Sequence, residues 1–125
     1  MGNGIMTSKI SFFTDLKAWK KNHELVIHIY KITNSFPEDE RFGLISQIRR
    51  SASSITANIA EGFGRYHPKD KMKFYLQARG SSTETINHLI LAKDLGYISE
   101  DEYQALKAHA YQGYQLVCGL TRAMR

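Results

Sequence analysis

Apolar residues recur at helical spacing in four stretches of the chain, separated by short polar breaks that carry glycine or proline. The first stretch predicts a helix from about Leu16 to Asn34. Leu16, Trp19, His23, Val26 and Tyr30 form one stripe, with Leu25, Ile29 and Ile32 in a second stripe beside it. Thr14 or Asp15 is expected to cap its start, because a short side-chain oxygen accepts an otherwise unpaired backbone N–H. Pro37 ends it, since the residue before a proline is disfavoured in helix. So wide an apolar surface predicts contact beyond the helix's own bundle.

The second stretch predicts a helix from about Glu40 to Phe63, with Leu44, Ile45, Ile48, Ala52, Ile55 and Ile59 on its core face. The run Ser51 to Ala60 is rich in small side chains, which let a neighbouring helix approach closely. Gly62 and Gly64 read as its stop. The third helix should start at Pro68, a favoured first-turn residue, and run to Leu95. Its inward residues read as Met72, Tyr75, Leu76, Ile86, Leu89 and Ile90, and Gly96 supplies a left-handed stop. The fourth opens on Ser99-Glu100-Asp101-Glu102, a capping box, and carries the stripe Tyr103, Leu106, Ala110, Val117, Leu120 and Met124. Connections of roughly three to eight residues imply antiparallel neighbours. The predicted fold class is therefore all-α, an up-down-up-down antiparallel four-helix bundle over residues 14–125, with residues 1–13 as a flexible lead.

Composition narrows the class of molecule. At 125 residues and 42% hydrophobic, one domain can bury a core without cross-links. The single cysteine, Cys118, excludes an internal disulfide, sits in apolar company as a packing residue, and fits a reducing cytoplasm. No apolar run approaches the roughly 18–20 residues that span a bilayer, so no membrane partner is expected. Met1–Phe13 lacks the apolar core of a signal peptide, and Met6 stands where a myristoylation signal needs Ser or Thr.

The formal charge of +5 gains meaning from the predicted topology. Glu38-Asp39-Glu40 and Glu100-Asp101-Glu102 should make one end of the bundle acidic, each suiting a helix start. The other end should collect Lys17, Lys20, Lys21, Arg65, Lys69, Lys71, Lys73, Arg122 and Arg125, offset by Asp15, Glu61 and Asp70. Tyr66 and His67 interleave with these cations, a mixture suited to phosphates and unstacked bases. Helix-end capping alone accounts for Arg65, Arg122 and Arg125. It does not account for Lys17 or for Lys69, Lys71 and Lys73, which lie at helix starts.

No catalytic constellation emerges. Glu24/His28 and Glu84/His88 lack the Glu-x-x-His spacing of di-iron bundles and read as solvated pairs opposite the apolar stripe, so neither a metal nor a cofactor is expected. HEPN-type ribonucleases need an Arg with a His four to six residues later, and no Arg here has one. His67 lies too close to Arg65, and His23 and His109 read as packing or capping residues. Buried polar groups must be paired, which predicts a register-fixing contact of Arg79 with Glu61 or Asn58 between the second and third helices.

Several segments also resemble a known family. Leu16-Lys17-Ala18-Trp19-Lys20-Lys21 and His23-Glu24-Leu25-Val26 are similar to the first helix of the four-helix-bundle proteins encoded in bacterial 23S rRNA intervening sequences. Ser46-Gln47-Ile48-Arg49-Arg50-Ser51-Ala52 and Ala57-Asn58-Ile59-Ala60-Glu61-Gly62-Phe63-Gly64-Arg65 resemble the second, more specific signature, and Ala78-Arg79-Gly80-Ser81 continues it. Thr56 stands where family members commonly have proline, which would bend the helix.

The resemblance implies a ring-like homopentamer. It also implies kinship with the accessory variability protein of diversity-generating retroelements, a basic pentamer that binds nucleic acid and a reverse transcriptase. Five copies of a +5 chain would carry a formal +25. The functional expectation is a non-enzymatic oligomer that binds RNA or DNA by charge and shape. Lys17, Lys20, Lys21, Arg65, Lys69, Lys71 and Lys73 are its contacts, with Arg49, Arg50 and Arg79 in second place. The alternative is a scaffold for a protein partner such as a reverse transcriptase or other polymerase.

Overall fold

The computed structural model describes residues 9–125. Among them lie four α-helices and no strand: α1 Lys17–Thr33, α2 Leu44–Phe63, α3 Pro68–Asp94 and α4 Glu100–Ala123. Residues 1–8 of the expected lead, with the Met1, Gly2 and Met6 positions, lie outside the described residues. The rest of the lead is not featureless. Phe13–Asp15 forms a 3-10 turn whose Phe13 ring packs edge-on against Trp19 at 5.5 Å.

Asp15 caps that turn rather than α1: its carboxylate accepts the N–H groups of Ser11 (2.9 Å) and Phe12 (3.1 Å). These bonds hold its pKa below the ordinary carboxylate value. The cap position of α1 is Leu16, which has no side-chain cap. The second helix also starts later than its apolar pattern implies. Glu38–Glu40 is a separate 3-10 turn, and α2 begins only after Gly43. The Glu40 carboxylate then reaches forward to accept the Leu44 N–H at 3.1 Å, which satisfies one orphan donor of the new helix.

The later boundaries follow local chemistry. Pro68 opens α3. At its end Gly96 takes φ +79°, the Gly96 N–H bonds the Lys93 carbonyl (3.0 Å) and the Tyr97 N–H bonds that of Ala92 (2.9 Å). That is a Schellman stop. The Ser99 box of α4 is formed in both directions, at 3.1 and 2.7 Å.

Each helix packs on its neighbours in sequence, and α1 also packs on α4. The core gathers Leu25, Ile29, Ile48, Ile55, Ile59, Leu89, Leu106 and Val117. On α1 the buried face is centred on the second apolar stripe. Ala18, Asn22, Leu25, Val26 and Ile29 point inward, whereas His23 and Tyr30 of the first stripe are exposed. Trp19 lies at the margin and stacks on His23 at 4.6 Å.

The α2–α3 contact is built from small and hydroxylic residues. The Thr85 hydroxyl donates to Ser51 Oγ (2.9 Å), the Ser81 hydroxyl donates to Ser54 Oγ (3.0 Å), and Tyr75 lies across Gly62. Residue numbers rise along α2 as they fall along α3. The α1–α4 pairs behave alike: Asn22 donates to the Gly113 carbonyl (3.2 Å), and the His28 ring lies 5.9 Å from that of His109. The α1–α2 and α3–α4 connections meet, since the Tyr97 hydroxyl donates to Glu40 at 2.8 Å and its ring lies 5.3 Å from Phe36.

Gly62 is no helix stop. It is buried within α2, where an added Cβ would stand 2.7 Å from the Tyr75 ring. Leu76 and Ile90, expected inside, are exposed on α3 together with Leu91, and Leu95 is exposed at the cap just past its end. The inward face of that helix is instead Tyr75, Ala78, Ser82, Thr85, His88, Leu89 and Ala92.

Candidate nucleic-acid interface

The cations expected to face a polyanion divide into those with internal duties and those without. Lys71, in the first turn of α3, turns its ammonium back onto the end of α2, donating to the carbonyls of Phe63 (2.7 Å) and Gly62 (3.4 Å). It caps carbonyls that have no intrahelical partner, so its charge is already committed. Arg65 donates to the Glu61 carboxylate at 3.1 Å and lies over the Phe74 ring at 4.5 Å. Lys21 stands 3.8 Å from Glu24.

Arg49 is a clamp. Its guanidinium donates to Thr33 Oγ1 (2.9 Å), Asn34 Oδ1 (3.1 Å) and the Tyr30 carbonyl (3.2 Å), and stacks over the Tyr30 ring at 4.6 Å. It ties the end of α1 to the first turns of α2. Lys17, Lys20, Lys69 and Lys73 differ from all of these. They are exposed and, among the described residues, make no ion pair or side-chain hydrogen bond. Lys17, Lys20 and Lys21 line a shallow groove of about 250 Å³ with Glu24 and Leu116. Tyr66, 90% exposed, stands beside His67 in the α2–α3 turn.

The expected contact of Arg79 with Glu61 or Asn58 does not form. Glu61 is exposed and pairs with Arg65 on its own helix, and Asn58 bonds Ser54 one turn back (2.9 and 3.1 Å). The two hydroxyl pairs between α2 and α3 set the register in its place. Arg79, partly buried, lies near Tyr114 of α4, whose hydroxyl is pushed above its ordinary pKa chiefly by the neighbouring Cys118 thiol. Arg50 is exposed with no ion-pair partner among the described residues.

The two Glu/His pairs also differ from a solvated reading. His88 is buried, with Nε2 3.3 Å from Glu84. His28 is partly buried; desolvation first, then His109 and Lys31, depress its pKa below the ordinary imidazole value. His109 reaches the Lys21 carbonyl at 3.0 Å and so joins α4 to α1. No group of three or more metal-ligating side chains gathers among the described residues. No helix there is long and apolar enough to cross a membrane.

The sequence pattern gave no notice of one feature. Tyr30, Arg41, Phe42, Ile45, Ser46, Arg49, Arg50 and Ser53 line a groove of about 530 Å³ between α1 and the start of α2. A helix drawn from Glu40 hides Arg41 and Phe42 inside a regular element. The break at Gly43 puts them in a turn, with the Phe42 ring 88% exposed.

A family model for the 23S rRNA-intervening sequence protein matches residues 14–117, most of the chain. This chain belongs to the 23S rRNA-intervening sequence protein family. A solved structure from Bacteroides thetaiotaomicron, described as a protein of unknown function from the S23 ribosomal protein family, superposes with a TM-score of 0.77 at 24% identity. The match covers 84% of this chain and 95% of that one, and at this identity it speaks for the fold alone. No curated protein matches. The matched span includes the α2 run that packs on α3. There Thr56, in place of the expected proline, stays within a continuous helix, and its hydroxyl bonds the Ser53 carbonyl at 3.0 Å.

Proposed function

We propose that the chain is a non-enzymatic homo-oligomer that binds RNA or DNA through a basic end, by charge and shape rather than by reading sequence. In this reading the four helices run up-down-up-down. The opposed residue order along α2/α3 and α1/α4, and the meeting of the two acidic connections at Tyr97, support that path. It carries the starts of α1 and α3 to the same end.

The observation that carries the proposal is the set Lys17, Lys20, Lys69 and Lys73: exposed ammonium groups with no carboxylate within ion-pair distance among the described residues, on two helix starts where capping gives them no role. Lys21, Arg65 and Lys71 add to the field while serving their internal contacts, and Arg50 and Arg79 are subsidiary. A homopentamer, the assembly that the resemblance implies, would join five such ends into a collar and turn a weak field into avid binding. Its place of action is the cytoplasm.

Fluorescence anisotropy with a short structured RNA tests this directly. Replacing the four lysines by glutamine should abolish binding at low salt while circular dichroism and oligomeric mass stay unchanged. Undiminished binding would remove those lysines as the site. A second reading, a scaffold for a reverse transcriptase or other protein, draws on Leu76, Ile90 and Leu91, which stand exposed on α3. Under it, Leu76→Asp with Ile90→Asp abolishes partner binding and the lysine variant does not.

A further inference from the structure

The groove between α1 and α2 gathers arginines, aromatic rings and hydroxyls in one place. Arg41, Arg49 and Arg50 line it, and none of the three has a carboxylate within ion-pair distance among the described residues. Tyr30 and Phe42 supply two aromatic faces, and Ser46 and Ser53 supply hydroxyls. Guanidinium groups recognise phosphate by paired N–H donors, and an exposed ring stacks on a base. Serving both needs within one groove fits a nucleotide whose base is unpaired.

The turn that carries Phe42 is held firmly. The Arg41 N–H bonds the Glu38 carbonyl (2.9 Å) and the Gly43 N–H bonds that of Glu40 (3.0 Å). Glu40 is pinned in turn by Leu44 and by the Tyr97 hydroxyl. The Arg41 guanidinium lies 5.4 Å from the centre of the Phe42 ring. A large apolar ring standing in water gains nothing from the chain's own core, whereas a stacked base would cover it. Arg49, held by its bonds to α1, forms the wall of the groove, and Arg41 and Arg50 remain to meet phosphate. Glu38 lines the adjoining hollow of about 320 Å³, which disfavours a long run of phosphates there and favours one or two at the arginines.

We infer that this groove is a binding site for an unpaired nucleotide, with Phe42 stacking on the base and Arg41 and Arg50 contacting its phosphate. The inference rests on the nucleic-acid reading above but places a contact at the opposite end of the bundle, where it confers a preference for single strands over duplex.

The test is anisotropy of a labelled ten-nucleotide single strand and of the corresponding duplex, with wild type, Phe42→Ala and Arg41→Gln. Both side chains are exposed, so both variants should fold. Wild type should prefer the single strand. Phe42→Ala should weaken single-strand binding by roughly tenfold or more, the loss expected of one stacked base, and leave duplex affinity unchanged. Arg41→Gln should weaken the single strand likewise and make its binding less dependent on salt, as the loss of one phosphate contact requires. Displacement of the labelled strand by adenosine monophosphate would assign the site to a free nucleotide, and resistance to it would assign it to a nucleotide within a chain; both support the inference. Wild-type single-strand affinity in Phe42→Ala would overturn it while leaving the basic-end proposal standing. Failure of the wild-type protein to bind either form would overturn both. If an acidic peptide, but no strand, binds through Arg41, the groove is a protein-docking site and the nucleotide assignment is wrong.

Discussion

At Gly62 the absence of a single methyl group lets the Tyr75 ring cross α2, and that crossing helps set how closely α2 and α3 pack. Gly62→Ala should therefore destabilise the protein by about 1–3 kcal/mol through overpacking, seen as a lower midpoint in urea. Arg49 makes a second prediction at this scale. Arg49→Lys keeps the charge but cannot span Thr33, Asn34 and the Tyr30 carbonyl at once, so it should lose stability almost as Arg49→Ala does, by about 1–3 kcal/mol. Neither role was legible in the sequence. A glycine near a helix end looks the same whether it stops the helix or admits a neighbour, and an arginine's partners on another helix leave no trace in local spacing. The buried Asn22 and His88 escaped for the same reason: their positions on the helical wheel were readable, but the packing partners that enclose them were not.

Helix ends were read well where the cap is built from neighbouring residues and poorly where it is not. Ser99 with Glu102, Pro68 and Gly96 act through contacts a few residues away, and those boundaries hold. Ser99→Ala should cost about 1 kcal/mol, measurable by chemical unfolding. The start of α2 depends on Glu40, whose pKa is held below the ordinary carboxylate value, first by the Leu44 N–H and then by the Tyr97 hydroxyl. Tyr97 is raised in return, chiefly by the same bond.

A depressed carboxylate stabilises the fold above its ordinary pKa and loses that contribution as pH falls through the lowered value. A raised phenol stabilises below its ordinary pKa and loses that contribution as pH rises past it. Stability from this contact should decline at both acid and strongly alkaline pH, and Glu40→Gln should flatten the acid limb of a thermal-melting series. The buried face of α1 was left open by the pattern, because two apolar stripes lie side by side. Periodicity shows that both exist, and only packing decides which is buried.

At the scale of the whole molecule, the four helices could be read from pattern, because they depend on apolar periodicity and short polar breaks. The division of the cations into committed and uncommitted ones could not, since it depends on which carbonyl or carboxylate each one reaches. That division makes a quantitative prediction. Replacing Lys69 or Lys73 by glutamine should each reduce the logarithmic salt dependence of RNA binding by about one, the loss of one phosphate contact. Lys71→Gln should act mainly on stability, because its ammonium already holds the end of α2.

The most direct test of a basic oligomer that grips nucleic acid is light scattering coupled to size exclusion, run with and without a short structured RNA at low and high salt. The predicted result is a mass of several chains, five in the preferred assembly, that gains RNA at low salt and releases it at high salt. A monomer, or an oligomer whose mass is unchanged by RNA at low salt, would contradict it.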